Sequence, residues 1–97
     1  MFEWDEDKRL ATISKHGLDF HDMIEVLAAP HVVIEARTQG EARFLAIGGF
    51  GTLTVAIVHT MRGDVTRLIT ARRARQNEKR QYQALHARRD PQDGAQN

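Results

Sequence analysis

The feature that most constrains this chain is a train of four β-patterned runs between His31 and Ala71, separated by connections of three or four residues. "HVVIEAR" is followed by "TQGE", "ARFLAIG" by "GFG", "TLTVAIVH" by "TMRG", and then comes "DVTRLITA". β-branched and aromatic residues dominate the runs, while glycine and polar residues fill the gaps. Parallel neighbours need crossover segments of about a dozen residues or more, so strands joined this tightly form an antiparallel meander. The third run is apolar on both faces, as suits a central strand with helices on at least one side.

Helices are expected on both flanks of the meander. Residues 5 to 16 read as a short helix: Asp5 caps it, Glu6 and Asp7 favour its N-terminus, Lys15 and His16 its C-terminus, and Gly17 stops it. Leu10 and Ile13 supply an apolar stripe. Asp19 caps a second helix from Phe20 to Ala29, with Met23, Ile24 and Leu27 at helical spacing and Pro30 ending it. Ahead of both, Phe2 and Trp4 flank Glu3 in the alternation of a very short strand that can join a sheet edge.

After Ala71 the period turns helical, and Ala71, Ala74, Glu78, Tyr82 and Leu85 trace one face. Only Tyr82 and Leu85 there are large and apolar, so this helix is weakly anchored. The expectation is an α+β fold with two N-terminal helices, a four-stranded antiparallel meander with or without a short N-terminal strand, and a basic C-terminal helix. A single domain spans residues 1 to 89, and the polar tail "DPQDGAQN" from 90 to 97 is expected to be disordered.

Composition narrows the chemistry. Ninety-seven residues, 41% hydrophobic, suit one small domain. The absence of cysteine removes disulfides, thiolate metal sites and thiol nucleophiles. The longest apolar run, Phe44 to Val58, is broken by three glycines and falls short of the ~20 residues a membrane helix needs. The acidic start lacks the basic and apolar regions of a secretory signal, so a soluble cytoplasmic protein without membrane contact is expected.

The net charge of +1 conceals a segregation. Residues 1 to 71 carry seven Lys/Arg and ten Asp/Glu, whereas residues 72 to 89 carry seven Lys/Arg against Glu78 alone. An acidic partner for that end follows, either nucleic acid or an acidic protein surface.

Four segments, "FEWDEDK", "KHG", "ARFLAIG" and "RGDVTRLITARRARQNEKRQY", resemble in order and spacing the BrnT toxins of bacterial type II toxin-antitoxin systems. The resemblance covers residues 2 to 83. It implies a RelE-like fold and a ribonuclease that blocks translation, held in check by a BrnA-like antitoxin. Such antitoxins are DNA-binding ribbon-helix-helix proteins, and operator DNA is reached only through them, in a hetero-oligomer that represses its own operon. The chain departs from the family pattern at Met61, where "TMRG" replaces "TERG", at Thr12 in place of Asn, and at Thr70 in place of Ser. The turn from Thr38 to Glu41 also lacks a common His. The carboxylate missing at Met61 bears on any mechanism with a general base there.

RNA cleavage without a metal or other cofactor needs a group to take the 2′-OH proton, cations for the phosphate, and a proton for the departing 5′ oxygen. Arg67, in mid-strand, is the first candidate: a charge on a sheet face needs a cleft or a partner, and an ion pair with a residue such as Glu35 is the structural alternative. Arg62 in the preceding turn is a second phosphate ligand or a solvated turn residue.

His16 and His59 are the titratable candidates, His16 also serving as a helix-end cation and His59 expected near Arg62 across the turn. Lys8 and Lys15, with Arg72 and Arg73, are candidates for substrate phosphates; Arg75, Lys79, Arg80 and Tyr82 are candidates for antitoxin docking. Solvated helix faces are the bland reading of such runs, which the scarcity of acids here weakens.

The five histidines show no H-x-x-x-H pair, and "GGFG" has no helix after it to cradle a phosphate. Two other readings stand beside the ribonuclease: a toxin-fold protein without catalysis, and a basic nucleic-acid-binding module.

Overall fold

A computed structural model describes residues 1–38 and 40–89 of the chain, in the order β1 (Phe2–Trp4), α1 (Glu6–His16), α2 (Phe20–Ala28), β2 (Val32–Thr38), β3 (Glu41–Phe50), β4 (Leu53–Arg62), β5 (Val65–Arg73) and α3 (Gln76–Arg89). The expected α+β class is observed, with one sheet in the order β1-β5-β4-β3-β2. The antiparallel meander runs from β2 to β5. The sheet has five strands rather than four, because β1 pairs in parallel with β5. The tail expected at 90 to 97 lies outside the described residues.

Alternation assigns the two faces of the sheet. On one, Ala46, Val55, Ile57, Leu68 and Ala71 meet Leu18, Phe20, Met23 and Val26 from α2 and the residues before it, with Phe2 and Trp4 packed alongside. On the other, Ile47 and Ala56 meet Ala74, with Val32, Ile34, Leu45 and Tyr82 of α3 around them. Each buried Phe or Met is worth roughly 1.5–3 kcal/mol, so the first face, with Phe20 and Met23 fully enclosed, is the main core.

Two adjacent glycines let helices approach both faces. A Cβ on Gly48 would stand 2.7 Å from Val26 Cγ1, and one on Gly49 would stand 3.1 Å from the Tyr82 hydroxyl. The sequence expectation of a turn at "GFG" is therefore corrected: Gly49 and Phe50 belong to β3, and Gly51, with φ of 61°, makes the reversal.

Two further differences matter for the site. Strand β5 continues through Arg72 and Arg73, which pair with Ala56 and Val55, so the helix begins at Gln76 and not after Ala71. Leu10, expected to face inward, is 53% exposed, and the buried residue of α1 is Thr12. Helix α1 packs on β5, with the Thr12 hydroxyl 3.4 Å from that of Thr70.

Both helix starts follow the sequence. Asp5 accepts from the Asp7 N–H at 2.8 Å, and Gly17 closes α1 in the left-handed conformation. Asp19 accepts from the His21 N–H and from the fork of Arg9 at 2.9 and 3.1 Å, tying α1 to α2. That fork, with the amide, holds the Asp19 carboxyl below its ordinary range. No helix among the described residues is long and apolar enough to cross a membrane.

Candidate functional site

The face of the sheet that carries α3 is only partly covered. Helix α3 packs on β2 and β3, at Val32, Ile34, Leu45 and Ile47. Across β1, β5 and β4, one row of paired residues reads Glu3, Arg67, Thr60. Trp4 and Phe2 turn into the core, so Glu3 between them must face the other way.

Here Arg67 Nη1 donates to Glu3 Oε2 at 3.0 Å, and Arg62 Nη1 lies 3.9 Å from the same oxygen. The partner of Arg67 is thus Glu3, not Glu35, which is paired with Phe44 at the far side of the sheet. Thr60, at the end of the row, donates to the Ala42 carbonyl at 3.2 Å. Arg43 adds another cation on this face, since its neighbour Phe44 stacks with His59 on the opposite one.

A bulge fixes which arginines share this face. The register of β4 and β5 shifts between Val58 and His59, so that Val58 faces Thr70 while His59 faces Leu68, and Ile69 is passed over. Thr60, Val58 and Ala56 alternate along one face of β4, and their partners are Arg67, Thr70 and Arg72. Without the bulge, Ala71 would stand opposite Ala56 in the position that Arg72 holds, and Arg72 would turn to the other face.

Arg72 is fully engaged there. Its fork grips Glu78 at 2.9 and 3.0 Å, and Glu78 Oε1 also accepts from the Arg75 N–H at 2.7 Å. The Arg75 carbonyl receives the Lys79 N–H, so Arg75 is the N-cap and Glu78 the third helical residue reaching back to it. The guanidinium, with the Arg75 amide, pulls the Glu78 carboxyl below its ordinary range, and the carboxylate in turn raises Arg72.

The titratable candidates separate. His59 is buried on the face opposite Arg67, stacked on Phe44 with ring centroids 5.5 Å apart, so it does not neighbour Arg62 as expected from the turn. Burial lowers its pKa below the ordinary histidine value. Lys8, Lys15 and His16 come together along α1, where with Ala11, Thr12, Ile69 and Thr70 they line a pocket of about 120 Å³. Thr70 lies three residues beyond Arg67 on β5, so this cationic pocket and the Arg67 pair flank the bulge of the same strand.

Arg73, Arg75 and Arg80 are exposed, and Lys79 is half-buried at the start of α3. Tyr82 packs onto the second core and across Gly49. A larger groove of about 320 Å³ is lined, among the described residues, by Val32, Gln81, Ala84 and Leu85. Met61 pairs with Thr66, one position from the Thr60–Arg67 pair and so on the opposite face, and a carboxylate at that position would point away from Arg67.

Sequence reasoning missed Glu3 as a site residue. The signal was present in the alternation of Phe2, Glu3 and Trp4, which put the carboxylate outside the core, but the strand against which β1 docks could not be read from it.

The chain matches the family model described as "Ribonuclease toxin, BrnT, of type II toxin-antitoxin system" over residues 4–78. No curated protein matches it. With most of its length matched, the chain belongs to the BrnT family of ribonuclease toxins of type II toxin-antitoxin systems.

Proposed function

We propose, from BrnT membership, that this chain cleaves RNA internally without a metal, inhibits translation in the cytoplasm, and is neutralised by a BrnA-like ribbon-helix-helix antitoxin. The observation that carries the reading is the open face on which Arg67 and Arg62 converge on one carboxylate oxygen, beside the pocket of Lys8, Lys15 and His16. Guanidiniums fixed at a water-accessible surface suit a phosphate whose negative charge grows as the 2′-oxygen attacks. The 2′-OH is the nucleophile, so no side-chain nucleophile is required. Arg67 and Arg62 stabilise the phosphorane-like charge, Lys8 and Lys15 bind neighbouring phosphates, and His16 gives a proton to the departing 5′ oxygen.

Arg72 contributes by holding α3 in place; Arg73 is the exposed cation next to it that remains for RNA. Arg75, Lys79, Arg80 and the Tyr82 helix form the docking side for an acidic antitoxin segment, and operator DNA is bound by the antitoxin within the complex. The test is cleavage of RNA by purified protein in EDTA, with Arg67→Ala as control. Cleavage that survives EDTA and falls by about 10²–10³ in the variant supports the reading. Loss with EDTA replaces the metal-free mechanism, and RNA binding without cleavage favours the non-catalytic alternative. An adjoining reading frame for a ribbon-helix-helix protein, and its co-purification with this chain, tests the partner.

A further inference from the structure

We infer that Glu3 is the general base of the cleavage reaction, a catalytic carboxylate supplied by the first strand; this deepens the ribonuclease reading and rests on it. Among the described residues both guanidiniums address a single oxygen of Glu3: Arg67 Nη1 at 3.0 Å and Arg62 Nη1 at 3.9 Å from Oε2. Oε1 accepts no hydrogen bond there. The carboxylate is therefore anchored by one oxygen and has the other available for a proton, while its side chain remains 39% exposed and open to substrate.

The anchoring also places the base correctly. Glu3 and Arg67 are directly paired residues of adjacent strands on one face, so a phosphate taken by the remaining N–H donors of Arg67 lies within reach of Glu3. The ribose attached to that phosphate brings its 2′-OH to the same place. In the step, Oε1 takes the 2′-OH proton as the 2′ oxygen forms a bond to phosphorus. The bond from phosphorus to the 5′ oxygen breaks, and that oxygen is protonated by His16. A 2′,3′-cyclic phosphate and a 5′-OH end result; Glu3 then returns its proton to solvent and His16 regains one.

Two other carboxylates that meet arginines are already engaged elsewhere. Glu78 is closed between Arg72 and the Arg75 amide at the start of α3. Asp19 is spent on Arg9 and the cap of α2. The glutamate that the family pattern places at position 61 would stand on the opposite face from Arg67, so its replacement by Met61 leaves the carboxylate of this cluster in place.

The experiment is the pH dependence of kcat and KM for RNA cleavage by the wild-type protein, Glu3→Gln and Glu3→Asp, with thermal unfolding of each as the folding control. Glutamine keeps the size and the acceptor oxygen for Arg67 but is not a base. The expected result is a fall of about 10²–10⁴ in kcat for Glu3→Gln with KM nearly unchanged, loss of the acidic limb of the rate profile, and partial rescue with that limb restored in Glu3→Asp. A folded Glu3→Gln that keeps the wild-type acidic limb, or that changes KM alone, overturns the role of Glu3 while leaving the ribonuclease reading intact. Wild-type protein that leaves RNA whole overturns both.

Discussion

Arg67 and Arg72 lie on the same strand and the same face, and each meets a carboxylate at hydrogen-bond distance, yet their surroundings differ. Glu78 is 6% exposed and divides its oxygens between a two-pronged guanidinium and a helix-capping amide. Glu3 is 39% exposed and offers one oxygen to two guanidiniums that approach from the same side. The first arrangement satisfies every partner and has nothing left for a ligand. The second is a charge cluster held ready at the surface, where water or a phosphate can enter. An arginine on a sheet face thus indicates function only through the exposure and remaining valence of what it touches.

The comparison breaks first at Arg67. Arg67→Ala should cut RNA cleavage by about 10²–10³, as loss of a fixed charge-stabilising donor does. Its urea midpoint should hardly move, because a half-exposed ion pair contributes only about 0–1 kcal/mol.

Glu78→Ala should invert that pattern. Removing it leaves Arg72 without its partner and the helix start without its cap, a loss of about 3 kcal/mol at the lower end for broken buried pairs. Equilibrium unfolding reads this directly, and cleavage per folded molecule should persist. Equal damage to activity and stability in both variants would dissolve the distinction between the two arginines.

A smaller effect separates binding from chemistry. Replacing Arg73 by alanine should lower the salt dependence of RNA binding by about 0.7 for the phosphate contact removed, with kcat at saturating RNA little changed. Filter binding across a salt series measures the slope.

The smallest effect lies on the other face. Burial depresses His59, so the unfolded chain binds its proton more readily than the folded one. Its stabilising share is complete above the ordinary value of about 6.5 and fades as pH falls through the window beneath it. The depressed carboxylates of Asp19 and Glu78 give up theirs only below about pH 4, as pH approaches their lowered folded values. His59→Phe should flatten the first decline and leave the second, as thermal melts from pH 7 to 3 would reveal.

Much of this fold is legible in the sequence because alternation and capping are local. The meander follows from short gaps between β runs, and Asp5, Gly17 and Asp19 mark helix ends that the structure reproduces. What escaped depended on distant partners. The spacing of Ala71, Ala74 and Glu78 imitates a helix, but β4 offers Ala56 and Val55 as partners, and the strand runs on to Arg73. Gly49 and Phe50 look like a turn, but they extend β3, with Tyr82 against Gly49 on one side and Phe50 against the main core on the other.

The site was legible in part for the same reason. Arg67 stands out in a β run whatever surrounds it, but which side of the sheet receives Arg72 depends on a bulge at Ile69 that no residue type announces. The cationic pocket joins Lys8, Lys15 and His16 through helical spacing, which is readable, to Thr70, which is not.

The parallel pairing of β1 with β5 has a consequence for the order of folding. Glu3 is made before Arg67, and its strand has no place to dock until the residues around Arg67 have also been synthesised and β4 has paired with them. The longest-range contact of the sheet is therefore the one that assembles the site, and closing it comes late because the intervening chain must be ordered first. A chain of this topology therefore holds Glu3 and Arg67 apart until β5 is in place, and the pairing of these two residues is a late event of folding and not an early one.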